Sequence, residues 1–265
     1  MKRLQSILVI FVSYCATLQA YDWPIKEDTV QHVLTSVMGE CRGPRHHFHR
    51  GIDINAPCST KVYTIDGDTC YKDTVSRPRG INIGRFRYYH MVIRDVIDDT
   101  SYVGPDSFFA KTDGEDHVHL QEADRRLRAP GDLNYVQWLN PLRVGGIYPY
   151  VDSARTAYPQ IRGGSAGIGF WRQGTNDQIY GILSMKVDIS VDARDPWTDS
   201  LGRGMNGGTL GNMGVYKCYG YIFDTLRTDT LKKFEYHRYD TCPINRMITY
   251  AYAPGSSNSR HIYWI

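Results

Sequence analysis

No C-x-x-C pair occurs anywhere in the 265 residues, so a thiolate zinc cluster of the finger or ribbon kind is excluded. Helix-period patterning is scarce and no internal repeat is visible, which argues against a bundle or a solenoid. Charge of one sign is missing too. The formal net charge is +3 with basic and acidic residues interspersed, so no nucleic-acid-binding surface is indicated. Long hydrophobic runs are also lacking. The apolar stretch from Ile7 to Val12 is far short of the roughly 20 residues that cross a bilayer, and no later segment does better.

That first apolar stretch has another use. Lys2 and Arg3 precede it, and Leu18-Gln19-Ala20 closes the segment on a small residue. A secretory signal over residues 1–20, cut after Ala20, is expected. Export would place the protein in an oxidising compartment and leave Cys41, Cys58, Cys70, Cys218 and Cys242, an odd set. Cys58 and Cys70 bracket a strand and the Asp66-Gly67 turn, so a hairpin would bring them within reach. Cys218 and Cys242 could join two strands of the C-terminal part, with Cys41 left over; connectivity stays open.

Short alternating segments broken by Gly, Pro and Asn dominate the rest, so the fold is expected to be all-β. Val33 to Met38, Val62 to Ile65 and Ile81 to Ile93 read as strands. Beyond the Pro- and Gly-marked stretch that starts near Asn140 come Ile179 to Leu183, Met185 to Val191 and Gly214 to Phe223. The expected division is residues 21–145 for one β domain and 146–265 for a β-sandwich module of immunoglobulin-like type. Asn206 to Asn212 reads as a flexible loop, and His237 and His261 as surface residues.

Two polar faces stand out. Over His46 to Pro57, period two puts His49, Gly51 and Asp53 on one side and Ile52 and Ile54 on the other. Over Asp116 to Leu120, His117 and His119 share a face while Val118 and Leu120 point to a core. Two imidazoles and a carboxylate form a donor set that zinc accepts, and three protein ligands leave a fourth position for water. His49, Asp53 and His119 are the expected metal set, with Gly51 leaving the space between His49 and Asp53 clear. A cupin-type set of His-x-His with Glu122 is the minor alternative.

The motifs His49-Arg50-Gly51-Ile52-Asp53, Tyr88-Tyr89-His90-Met91 and His117-Val118-His119-Leu120 resemble, in the same order, those of the lysostaphin-like zinc endopeptidases. Leu34 to Arg42 and Val62 to Gly67 are similar to the strands and turns that flank the first motif there. The resemblance covers roughly residues 30–145. It implies a small antiparallel sheet with a groove on one face, zinc on His49, Asp53 and His119, and His90 and His117 flanking the attacking water as catalytic residues. The implied activity is hydrolysis of the peptide part of peptidoglycan by an exported protein of the periplasm or cell envelope. The C-terminal module would bind wall or a regulatory partner, or cover the groove. Gly114-Glu115-Asp116 departs from the family's usual Gly-Pro, putting two carboxylates where they could bond His117 or alter metal affinity. The alternative from another class is a non-catalytic scaffold of the same fold that binds wall or regulates a wall hydrolase.

Overall fold

The computed structural model describes residues 21–26, 32, 34–73, 80–93, 97–128, 136–143, 145–147, 160–180, 186–197, 211–213, 217–223, 230–258 and 260–264. The expected signal at 1–20 lies outside them, as do residues 148–159 and most of the loop at 206–212. The protein is all-β, with several antiparallel sheets and, among the described residues, one four-residue α-helix, Ile248–Ala251. No described helix is long and apolar enough to cross a membrane.

The strands of the first part are β1 (Leu34–Ser36), β2 (Cys41–Arg42), β3 (His47–Phe48), β4 (Ile52–Asn55), β5 (Lys61–Tyr63), β6 (Asp68–Asp73) and β7 (Gly80–Ile83). They continue with β8 (Phe86–Tyr89), β9 (Met91–Ile93), β10 (Tyr102–Val103), β11 (Phe108–Thr112), β12 (His117–Arg128) and β13 (Val136–Leu139). An eight-stranded sheet runs β1-β4-β12-β8-β7-β6-β10, with β13 also on β12, and a second sheet runs β5-β11-β9. Between them lies a core of Ile52, Ile54, Val62, Ile81, Ile83, Phe86, Tyr88, Phe109, Val118 and Leu120, all essentially inaccessible to solvent. Strict alternation on β4 and β12 sends these apolar residues to the core, so the opposite face of the same strands is free for polar groups.

The stretch from Ile81 to Ile93, which alternates well enough for one long strand or two short ones, holds three. Gly84 turns β7 into β8, and His90 turns β8 into β9 with a left-handed backbone at φ 63°. Because β8 belongs to the large sheet and β9 to the small one, His90 is the corner where the chain changes sheets.

In the second part, the strand Val187–Trp197 pairs with Gln160–Ile161, Ile168–Arg172, Gly211–Met213 and Ile262–Trp264. Lys217–Phe223 and Thr230–Arg238 form a separate two-stranded ribbon. Residues 239–263 return to the first part. Tyr239, Cys242, Ile248, Tyr252 and Tyr263 share a core with Met38, Cys41, Phe48 and Trp138. Tyr252 donates its hydroxyl to the Gly39 carbonyl at 2.6 Å. A Cβ on Gly39 would sit 2.6 Å from the Tyr239 ring, at a backbone φ of 88°, so only glycine suits that turn.

Three expectations fail here. Cys58 and Cys70 remain free thiols because β5 and β6 belong to different sheets and do not form a hairpin. Cys70 is buried and bonded to the Asp98 carbonyl, while Cys58 is exposed. Cys242 is likewise free and buried, with its sulfur against the His49 carbonyl at 3.7 Å, so it forms no bridge to Cys218. His261 is buried beside Tyr252 and Tyr263 and is not a surface residue.

Glu122 faces the core side of β12, opposite to His117 and His119. It is wholly buried, accepts a hydroxyl bond from Tyr21 and pairs with both terminal nitrogens of Arg143, one of them at 2.7 Å. Burial works against the charge on Arg143, but the bond to Glu122 and the nearby charge hold its pKa above the ordinary arginine value. A cupin-type metal set through Glu122 is therefore excluded. Removing one partner of such a pair strands a buried charge, so Arg143→Ala is expected to destabilise the fold by about 3 kcal/mol. Urea unfolding midpoints of the two proteins check this.

Candidate metal centre

Register builds the site. In the antiparallel pair β4–β12, His119 lies directly opposite Asp53 and His117 opposite Asn55, while β8 places Tyr89 opposite His119 on the other flank. A slip of one residue would carry both histidines into the core. His49 arrives differently. It is not on a continuous strand with Asp53, as period two implies. It sits in the link between β3 and β4, and the Gly39 and Glu40 backbone bonds to both sides of it hold that link in place.

Gly51 in this link has a different reason from the one its position suggests. A Cβ there would meet the Leu120 carbonyl oxygen at 2.1 Å. The residue lets β4 and β12 approach, and that approach brings the His49 link over His119.

His49 Nε2, Asp53 Oδ1 and His119 Nδ1 all lie within 4.8 Å of one another and could hold one metal ion. Individual separations are 2.9 Å from His49 Nε2 to His119 Nδ1, 3.2 Å from His49 Nε2 to Asp53 Oδ1, and 2.6 Å from His119 Nδ1 to Asp53 Oδ1. His49 and Asp53 are buried, whereas His119, His117 and His90 are half-buried and form the open side.

The surroundings fit a cation. His49 donates Nδ1–H to the Val37 carbonyl at 2.9 Å, which leaves the lone pair of Nε2 facing the centre. Arg42 donates to Asp53 Oδ2 at 3.0 Å, so the outer carboxylate oxygen is taken and Oδ1 faces inward. Arg42 also donates to Ser36, whose hydroxyl bonds the buried Glu40 carboxylate; Glu40 in turn accepts the Val37 backbone N–H at 3.0 Å. The far nitrogen of His119 is 2.8 Å from the Gln121 amide. The Gln121 atom at that distance is the amide nitrogen.

Electrostatics point the same way. Burial disfavours the charge on Asp53, yet His49 and His119, by charge and hydrogen bonding, hold its pKa well below the usual carboxylate value. Burial pushes His119 down to about 4, so near neutrality its imidazole is uncharged, the form that binds metals.

His117 and His90 complete the open side. His117 donates Nδ1–H to the Glu115 backbone carbonyl at 2.7 Å, and its Nε2 is 4.0 Å from Asp53 Oδ1. The two carboxylates before it do not bond it. Asp116 accepts the Cys58 backbone N–H at 2.9 Å, and Glu115 is exposed. His90 packs against His117 with ring centroids 4.2 Å apart and the planes tilted by 45°, and its ring is 6.5 Å from that of His119. Its Nδ1 is buried without a hydrogen-bond partner, and burial followed by the nearby His117 lowers its pKa. The five sequence-nominated residues thus come together. Spacing alone missed Arg42, Ser36, Glu40, Tyr89 and Gln121; of these only Gln121 carried a signal, being next in the alternation after His117 and His119.

Against protein-family models, curated proteins and solved structures alike, the chain finds no match.

Proposed function

We propose that this chain is an exported zinc endopeptidase of the lysostaphin-like kind that hydrolyses peptide cross-links of peptidoglycan. The observation that carries the reading is the convergence of His49 Nε2, Asp53 Oδ1 and His119 Nδ1 on one point, with His117 Nε2 beside it. In this reading residues 21–145 form the peptidase domain, and the β module from 146 onward, of sandwich type, binds wall or a regulatory partner.

His49, Asp53 and His119 would hold the zinc, which supplies Lewis acidity that acidifies an attacking water and polarises the scissile carbonyl. In the neutral His117 ring the bond from Nδ1–H to the Glu115 carbonyl puts the lone pair on Nε2, which would accept the water's proton and return it to the leaving amine. His90, at the corner between the two sheets and beside His117, would donate to the oxyanion as it develops. Arg42 occupies Asp53 Oδ2, so Oδ1 is the oxygen that would hold the zinc.

The test is digestion of purified sacculi by the zinc-loaded protein, with products read by mass spectrometry. His117→Ala should keep full metal content and lower the rate about 10²–10⁴-fold, the usual contribution of a positioned base. Turnover unaffected by His117→Ala would refute the assigned role. Retained zinc with no turnover by the unmodified protein would favour the scaffold alternative.

A further inference from the structure

A cleft of about 500 Å³ lies away from the metal centre, where three segments distant in sequence meet. Arg45, from the turn between β2 and β3, forms one wall. Thr175 and Asn176, from the turn after strand Ile168–Arg172, form the second with Asp188. Tyr250 of the short helix and Trp264 of the last strand form the third.

Each wall is held. Asp188 accepts the Gly174 backbone N–H at 2.7 Å, and Thr175 caps its own turn through the Arg172 carbonyl at 2.9 Å. Trp264 donates its indole N–H to the Thr249 carbonyl at 3.1 Å and packs edge-on against Trp171 at 5.4 Å. Arg45 adopts a left-handed backbone at φ 60°, a conformation arginine rarely takes and one that tends to be kept where a site needs it. Tyr250 is 65% exposed, so little of that ring is used to stabilise the core.

Two aromatic rings and a ring of fixed polar groups in one open cleft suit a ligand with an apolar face and a hydroxylated edge. A lipid would make no use of the polar groups of Arg45, Asp188 and Asn176, and a bare anion would find no use for the rings. A pyranose satisfies both. Its C–H face stacks on an aromatic ring, and its vicinal hydroxyls both donate and accept, matching a carboxylate, an amide and a guanidinium. The one bond from Gly174 does not exhaust the acceptor capacity of Asp188. The volume falls within the range of small-ligand sites and suits one or two sugar rings.

We infer that this cleft is a saccharide-binding site. The inference does not depend on the metal centre, since no residue of that centre lines the cleft. Binding of N-acetylglucosamine tetrasaccharide and of cellotetraose to the full chain is measured by calorimetry and by tryptophan fluorescence. At least one should bind saturably. Tyr250→Ala should weaken that binding at least tenfold without moving the melting temperature, and Asp188→Asn should weaken it severalfold. His117→Ala should bind the sugar as the parent does, whether or not it cleaves peptide. Absence of saturable binding of both oligosaccharides, or equal affinity in Tyr250→Ala, overturns the inference.

Discussion

For the proposed zinc hydrolase, replacing His119 by alanine is expected to strip the metal and bring hydrolysis of wall peptides down to background. His119 Nδ1 is the atom closest to both other ligand atoms, at 2.6 Å from Asp53 Oδ1 and 2.9 Å from His49 Nε2. Two remaining ligands, one of them a carboxylate held by Arg42, form an incomplete site. Loss of a supporting partner around a metal ligand weakens affinity about 10–100-fold, so loss of the ligand itself should exceed that range. The fold should survive, because Asp53 keeps its pairing with Arg42 and the β4–β12 register depends on Val118 and Leu120, which stay in the core. Zinc stoichiometry after dialysis, together with the unfolding midpoint, checks both halves. A His119→Ala protein that retains one zinc at parental affinity would dispose of the proposed centre.

Gly51→Ala should act through the backbone and hit fold and site together. The added methyl would lie 2.1 Å from the Leu120 carbonyl oxygen, well inside contact distance. That oxygen belongs to β12, which is paired on both sides by β4 and β8, so it has nowhere to go without loss of sheet pairing. Relief instead requires the His49 link to swing away from His119. Overpacking in a tight interior costs about 1–3 kcal/mol, and a clash with fixed backbone belongs at or above the top of that range. The expected result is a destabilisation of about 3 kcal/mol or more with a parallel loss of zinc affinity. An unchanged unfolding midpoint would show that the two strands are not as close as described.

These two variants differ in how far their effects were legible in the chain itself. His119 was nominated by alternation alone, because β12 is an amphipathic strand and its period of two sorts histidine from Val118 and Leu120 without reference to anything distant. Asp53 followed for the same reason on β4. Gly51 was also singled out, but for the wrong neighbour. Which atom approaches a glycine is a property of the adjoining strand, and that strand lies more than sixty positions away in sequence.

His90 shows the same boundary from the other side. A lone histidine amid alternating residues carries no local mark, and the long stretch around it looks like continuous strand. Only the closure of two sheets around one core requires a left-handed corner there, and that corner turns its ring onto His117. The cysteines misled for a related reason: a strand and a turn between Cys58 and Cys70 suggest a hairpin, but β5 pairs with β11, in a sheet that does not contain β6.

What the amino-acid order determined by itself is the β class, the inward and outward faces of β4 and β12, and which residues are the candidate metal donors. These depend on side-chain alternation within a few residues. What tertiary structure alone decided is the register that sets His119 against Asp53, the outer cage of Arg42, Ser36 and Glu40, and the cleft at Arg45, Tyr250 and Trp264. Those depend on pairings between segments far apart in the chain, and a local pattern carries no information about which distant backbone will complete it.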